Sequence, residues 1–158
     1  MRLFRQKSNQ PRRRLGTTAV EVAVTMPVFM VFAAGLMEAS HAMMVVDSLD
    51  AAARQAARYG SVDEITTAQT IAKAKAIVAQ SFRATPTVVV KDASSFDTAN
   101  FNSSNINYAS LPDKELRTAS DDQMFIVRIS VPYNSVALLP PFWIKNVTLS
   151  GQAVMRHE

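Results

Sequence analysis

The chain has 158 residues, of which 48% are hydrophobic and 19% charged, with no cysteine and only four glycines. These values exclude a disulfide framework and a thiolate zinc site, and they differ from those of a disordered or collagen-like chain. Six of the 17 basic residues lie before residue 17, while the rest of the chain has a net charge of −2. A basic terminus beside an apolar run fits the positive-inside rule better than a nucleic-acid surface, so we expect no nucleic-acid partner.

The first predicted element is a polar, basic leader over residues 1–16. Its last three charges, Arg12, Arg13 and Arg14, stand just before Gly16, and the leader contains no acidic residue. Positive charge near a membrane span is retained on the cytoplasmic side. The leader therefore predicts a cytoplasmic N-terminus.

An uncharged apolar run follows, from Val22 to Met37. These 16 residues fall short of the roughly 20 that cross a bilayer as a helix, and a longer segment includes Glu21 and Glu38. The two glutamates are 17 residues apart, about 26 Å along a helix, against a hydrocarbon core about 30 Å thick. Both carboxylates can thus lie near opposite interfaces of a spanning helix. Pro27 predicts a kink, which membrane helices tolerate.

The helical pattern continues beyond this run and is predicted to end at Gly60. Apolar residues recur there with helical spacing, at Leu49, Ala52, Ala53 and Ala56. Ser61–Glu64 has the pattern of a capping box and predicts the start of a second helix, which Pro86 ends. The apolar stripe of that helix consists of Ile71, Ala74, Val78 and Phe82.

Three strand-like runs follow, at residues 87–91, 124–131 and 147–155. The second and third alternate apolar and polar residues, which predicts an antiparallel sheet with one solvated face and one face covered by the helix. Residues 93–123 are rich in Ser, Asn and Asp and contain either a short strand near Phe101–Tyr108 or a mobile insertion. The predicted fold class is α+β: a long N-terminal transmembrane helix, a second helix and a small antiparallel sheet.

The sequence predicts no catalytic residue, no cofactor and no metal site. His41 and His157 are too far apart in the chain for a two-histidine zinc motif, and neither lies near a candidate nucleophile. The nucleotide-binding and hydrolase glycine motifs are absent from the sequence. The pair Asp121–Asp122 lies in polar loop sequence and is expected to be solvated. We therefore do not expect an enzyme.

The leader, Gly16 and the glutamate five residues after it resemble a type IV prepilin processing site. Within that superfamily the sequence resembles the TadE-like family of the Tad (Flp) pilus system. The resemblance is carried by "GTTAVEVAVTMPVFMVFAAGLMEAS" at residues 16–40, "AAARQAARYG" at residues 51–60 and "VTLSGQAVMRHE" at residues 147–158.

The resemblance implies a pilin-like minor pilin or pseudopilin of a pilus or secretion system, cleaved by a prepilin peptidase between Gly16 and Thr17. It implies as partners the bacterial inner membrane, other pilin subunits and the assembly platform. It also implies that Glu21 pairs with the new α-amino group of Thr17 in a neighbouring subunit, and Glu38 corresponds to the second glutamate that follows the family's apolar run. Residues 17–60 would form the transmembrane and extended helix, and residues 61–158 an extracytoplasmic head.

Other interpretations of the same residues remain open. The leader and apolar run also fit an ordinary signal anchor, in which Glu21 is a tolerated interfacial carboxylate. The chain would then be an uncleaved single-pass component of the assembly platform or cell envelope. A cleavable secretory signal fits less well, because its best small-residue site, Ser40-His41-Ala42, lies beyond Glu38.

Overall fold

The structure is a computed structural model that describes residues 12–98, 101 and 106–158, with side chains from residue 16 onward. The fold is α+β, with a long apolar N-terminal helix, a second helix and a three-stranded antiparallel sheet, as the sequence predicts. The chain divides into two compact units, one up to Met37 and one from Glu38 onward. The leader residues 1–11 lie outside the described residues.

Helix α1 spans Arg12–Gly60 and contains the whole apolar run. The most apolar 18-residue stretch of α1 has no buried residue. Among the described residues, α1 is the helix that is long and apolar enough to cross a membrane. Phe29, Phe32 and Leu36 are all more than 60% exposed. Apolar surface of this extent requires lipid or protein cover. The helix therefore indicates a single-pass membrane anchor.

The second half of α1 belongs to the compact unit that begins at Glu38. Its predicted apolar stripe is confirmed, since the side chains of Leu49, Ala52, Ala53 and Ala56 are all buried, together with Val45. They share one core cluster with residues of the second helix and of the sheet. The helix ends at Gly60, as predicted.

Helix α2 spans Thr67–Ser81 and begins later than the sequence predicts. Its capping box is formed by Thr66 and Gln69, whose side chains each bond the other's backbone N–H. The predicted box at Ser61–Glu64 is wrong, because the Ser61 hydroxyl donates back to the Arg58 carbonyl. Glu64 has a φ of 66°, so the chain turns there and cannot begin a helix.

The sheet consists of β1 (Thr87–Asp92), β2 (Met124–Pro132) and β3 (Thr148–Arg156), in the spatial order β1-β2-β3. Both pairings are antiparallel, and Val127 on the central strand lies opposite Val90 and Ala153. The predicted dry face of β2 is confirmed, with Phe125, Val127, Ile129 and Val131 all buried. Ile126 is also buried, so the other face of the sheet is not fully solvated.

The segment 93–123 contributes to the core, which the sequence does not predict. Leu116 is fully buried in the same cluster as the sheet and α2. Thr67 at the start of α2 makes three hydrogen bonds to this segment. Its hydroxyl donates to the Lys114 carbonyl and accepts the Leu116 N–H, and its backbone N–H donates to the Glu115 carboxylate. Residues 101 and 106–108 form no strand, and the rest of the predicted strand near Phe101–Tyr108 lies largely outside the described residues.

The carboxylate of Asp92 lies at the centre of a polar cluster at the end of β1. It accepts hydrogen bonds from the Ser94 N–H at 2.8 Å and from the Gln123 amide at 2.9 Å, and Lys114 Nζ lies 3.8 Å away. Burial alone raises the pKa of this carboxyl, but the bonds from Ser94, the Lys114 charge and the Gln123 bond outweigh it. The net pKa of Asp92 is therefore lowered.

Helix α1 approaches β3 closely at Gly151. A Cβ on Gly151 would lie 2.3 Å from the backbone nitrogen of Asp50 and 2.3 Å from the carbonyl carbon of Leu49, so only glycine fits there. Next to this contact, the Asp50 carboxylate accepts the Gln152 N–H at 2.8 Å. Asp50 thus binds the sheet.

Candidate processing and membrane-boundary sites

Gly16 and Thr17 lie in the first turns of α1, and both residues are exposed. A Cβ added to Gly16 would meet no heavy atom within 4 Å among the described residues, apart from its chain neighbours and the adjacent helix backbone. Neither packing nor the backbone of this chain therefore requires a glycine at this position. A requirement for glycine would have to come from another protein that reads this segment.

Glu21 lies one helical turn after Thr17, and the two residues share a face of α1 with Val20 and Val24. The Glu21 side chain is exposed. Its backbone carbonyl accepts the Thr25 hydroxyl at 2.9 Å, which satisfies a polar group within the apolar run. Glu21 thus presents its carboxylate outward from a helix that has no other charged residue between Gly16 and Met37.

The remaining predicted residues of this unit lie on the same helix. Pro27 lies inside α1, which continues on both sides of it, so the predicted kink stays a prediction. Arg12, Arg13 and Arg14 form the helical start of α1.

The carboxylate of Glu38, a predicted site residue, accepts three backbone hydrogen bonds. One carboxylate oxygen accepts the backbone N–H of Ile144 at 2.8 Å, and the other accepts those of Trp143 at 3.1 Å and Phe142 at 3.3 Å. Three successive N–H groups that converge on one carboxylate form a backbone nest, which matches the geometry of an anion. Glu38 therefore fixes the loop that contains these residues to α1 at the start of the compact unit.

Two aromatic side chains extend this contact. The hydroxyl of Tyr133, a buried residue just after β2, donates to the backbone carbonyl of Glu38 at 3.2 Å. His41 Nδ1 lies 3.4 Å from the same hydroxyl. His41 is thus part of the contact between α1 and the loop, and it lies on a different part of the fold from His157, which is buried at the end of β3.

The loop between β2 and β3 is also closed at its base. Asn134 and Asn146 form a reciprocal pair, in which the Asn134 amide donates to Asn146 Oδ1 and the Asn146 N–H donates to Asn134 Oδ1. The Tyr133 N–H donates to the Val147 carbonyl at 2.8 Å. The bonds of Tyr133 and Asn134 to Val147 and Asn146 thus join the two ends of the loop, and Glu38 binds its central part.

The sequence interpretation assigns no role to this loop. Its sequence "ALLPPFWIKN", residues 137–146, contains the single tryptophan of the chain beside a phenylalanine and two leucines. These large apolar residues follow neither the spacing of a helix nor the alternation of a strand. In the sequence alone, this pattern could have indicated an exposed apolar surface. Its contact with Glu38 was not foreseeable, because more than 100 residues separate the partners.

Comparison with known proteins gives a family match over part of the chain. Residues 16–58 match the family model described as "TadE-like protein". The match contains Gly16, Thr17, Glu21, Pro27 and Glu38, and it confirms the resemblance over this segment. The resemblance of residues 147–158 lies outside it. No curated protein and no solved structure matches the chain.

Proposed function

Because residues 16–58 match the TadE-like family, a pilin-like structural family associated with Tad pili, we propose that the protein is a minor pilin or pseudopilin of a Tad-type system. In this proposal a prepilin peptidase cleaves between Gly16 and Thr17. The head from residue 61 onward lies outside the bacterial inner membrane, and residues 1–16 lie in the cytoplasm. The partners are the peptidase, other pilin subunits and the assembly platform.

The observation that supports processing most strongly is the surroundings of Gly16. A glycine ends the basic leader and precedes the apolar run, yet no described residue packs against its position closely enough to require a small residue. A peptidase that recognises the glycine would account for it.

The second step of the proposal concerns Glu21. Insertion scales put a charged residue at the bilayer centre at about 2.5–3.5 kcal/mol, and a position at the basic edge of the span lowers this cost. In a helical bundle the carboxylate would meet the new α-amino group of Thr17 on a neighbouring subunit. Cleavage would also remove the six leader charges that hold the helix at the cytoplasmic face, so processing would turn an anchored precursor into an extractable subunit.

N-terminal sequencing and intact-mass measurement of the protein test this proposal in cells with and without a matching prepilin peptidase. The mature chain should begin at Thr17 only when the peptidase is present. Gly16→Leu should leave the precursor uncleaved, while Ala33→Leu, which adds bulk to the same helix away from the junction, should be processed normally.

Recovery of only the full-length chain from membranes that contain the peptidase would overturn processing. It would favour the alternative function, an uncleaved single-pass component of the assembly platform. A reporter fused after Glu158 tests topology separately, because activity only in the cytoplasm would contradict an external head.

A further inference from the structure

The loop between β2 and β3 exposes an unusual amount of apolar surface. Leu138 is 75% exposed, Leu139 64%, Phe142 68% and Trp143 49%. Lys145 follows directly, with its ammonium 5.7 Å from the centre of the Phe142 ring. Clustered exposed side chains of this size, next to a cation, are typical of a surface that is covered by another phase or another molecule.

The position of this loop selects the membrane as its cover. Glu38 follows Met37, the last residue of the apolar run, and its carboxylate binds the backbone of Phe142, Trp143 and Ile144. If the apolar run spans the bilayer, the loop lies where the span ends. The exposed helix surface stays apolar at Met43 and Met44, about one and a half turns further on, so the lipid-compatible surface does not stop at Glu38.

The backbone of the loop is suited to contact with lipid. Pro140 and Pro141 have no N–H, and the next three N–H groups are bound by the Glu38 carboxylate. Five consecutive residues therefore present no unsatisfied donor. Each unsatisfied backbone N–H or C=O group raises the cost of placing a non-helical segment in an apolar phase, and this part of the loop removes the N–H share of that cost. Its carbonyls can stay hydrated if the segment lies at the interface and not in the hydrocarbon core.

We propose that residues 138–145 form an interfacial anchor that inserts its leucine and aromatic side chains into the bilayer leaflet at the C-terminal end of the apolar run. Phenylalanine and tryptophan would occupy the boundary between acyl chains and headgroups, where aromatic residues concentrate. Lys145 would reach the lipid phosphates. The proposal rests on the membrane span of the proposed function, but it needs neither cleavage nor pilus assembly.

Trp143 is the single tryptophan, so its fluorescence in the full-length chain is a direct probe. The purified protein is reconstituted into phosphatidylcholine and phosphatidylglycerol vesicles that contain lipids brominated either near the glycerol end or near the terminal methyl of the acyl chains. We expect about a twofold loss of emission with bromine near the glycerol end, a smaller loss with deep bromine, and protection from aqueous acrylamide, because interfacial segments insert about 5–10 Å.

A matched control moves the tryptophan to Val62 in a Trp143→Phe, Val62→Trp variant. Val62 is 50% exposed, close to the exposure of Trp143, but it follows the end of α1, about 33 Å along the helix from Glu38. Its emission should be quenched by acrylamide and unaffected by brominated lipid. Equal acrylamide quenching at both positions, with no effect of brominated lipid on Trp143, would overturn the proposal.

Two further measurements distinguish insertion into lipid from contact with a second copy of the chain, and failure of the anchor from failure of the membrane span. If Trp143 is protected only at a high protein-to-lipid ratio, a second copy of the chain covers the loop, and the proposal fails. A Trp143→Phe, Phe29→Trp variant reports on the span itself. Lipid quenching at position 29 without quenching at Trp143 would refute the interfacial anchor alone, whereas no quenching at either position would also refute the membrane span.

Discussion

Replacement of Gly151 by alanine is the sharpest test of how α1 packs on the sheet. The new Cβ would lie 2.3 Å from two backbone atoms of α1, whereas ordinary contacts are 3.4–4 Å, so the helix and β3 must separate by about 1 Å. The obstructing atoms are backbone, and no side-chain rotation relieves the overlap. Separation would also lengthen the hydrogen bond between Asp50 and the Gln152 N–H and loosen the packing of the buried Leu49.

Overpacking of a well-packed core costs about 1–3 kcal/mol, and a backbone obstruction belongs at the upper end, so we expect a loss of about 3 kcal/mol. For a domain of this size that corresponds to a decrease in Tm of about 10–15 °C. Thermal unfolding of the full chain in detergent micelles, followed by far-UV circular dichroism and Trp143 fluorescence, measures it.

Gly60→Ala is the matched control. Its Cβ would approach side-chain atoms, at 2.7 Å from the Thr70 hydroxyl and 2.8 Å from Leu116 Cδ1, and these can shift. Alanine also favours the helix by about 1 kcal/mol over glycine, which offsets part of the overlap. We expect less than half the effect of Gly151→Ala. Equal shifts for the two variants, or a Gly151→Ala protein as stable as the wild type, would refute the close contact between α1 and β3.

Three further predictions follow from the helix, the polar cluster and the head. Glu21→Gln should leave insertion and cleavage intact but abolish incorporation into sheared pili, because the α-amino group of Thr17 would lack its counter-charge; incorporation at the wild-type level would contradict the pairing. The pKa of Asp92 is lowered in the folded state, so its stabilisation is present above the unfolded value of about 3.9 and is lost as the pH falls through the folded pKa. Asp92→Asn should therefore flatten the acid dependence of urea unfolding, and an unchanged dependence would argue against the cluster. In mild detergent, which covers the exposed loop, a chain of residues 38–158 should fold without the apolar run, and one of residues 47–158 should have a lower Tm, since the shorter chain lacks buried Val45; equal Tm values would contradict this.

Most of the fold could be predicted because the buried faces and ends of most helices and strands follow from residues that are close together in the sequence. The alternation in β2 and the alanine spacing in α1 identified the buried faces, and Gly60 identified the helix end. These features need only the period of a strand or helix and the conformation of glycine. Hence the fold class could be inferred without any long-range contact.

The predictions were wrong or incomplete where two nearby sequence patterns could each begin a helix, or where contacts between residues distant in the sequence determine the structure. Both Ser61–Glu64 and Thr66–Gln69 have the form of a capping box, and the structure uses the second. Thr67, which follows that cap, is bonded to residues 114–116, a contact that no local pattern contains. The same holds for the candidate site, since Gly16 and Glu21 stand out in the sequence while the loop bound by Glu38 becomes visible only in the structure.

The bonds of Glu38 also determine how the head would bear a pull along α1. Glu38 is the first residue of the head unit, so tension on the apolar helix enters the head there. Its carboxylate divides that load among three backbone N–H groups of the loop, and the Tyr133 hydroxyl holds its carbonyl as a fourth point. Bonds loaded together must break together, whereas bonds loaded in sequence break one at a time. The compact unit would thus resist a steady pull through these four bonds together with the packing of Val45 and Leu49 of α1 in its hydrophobic core.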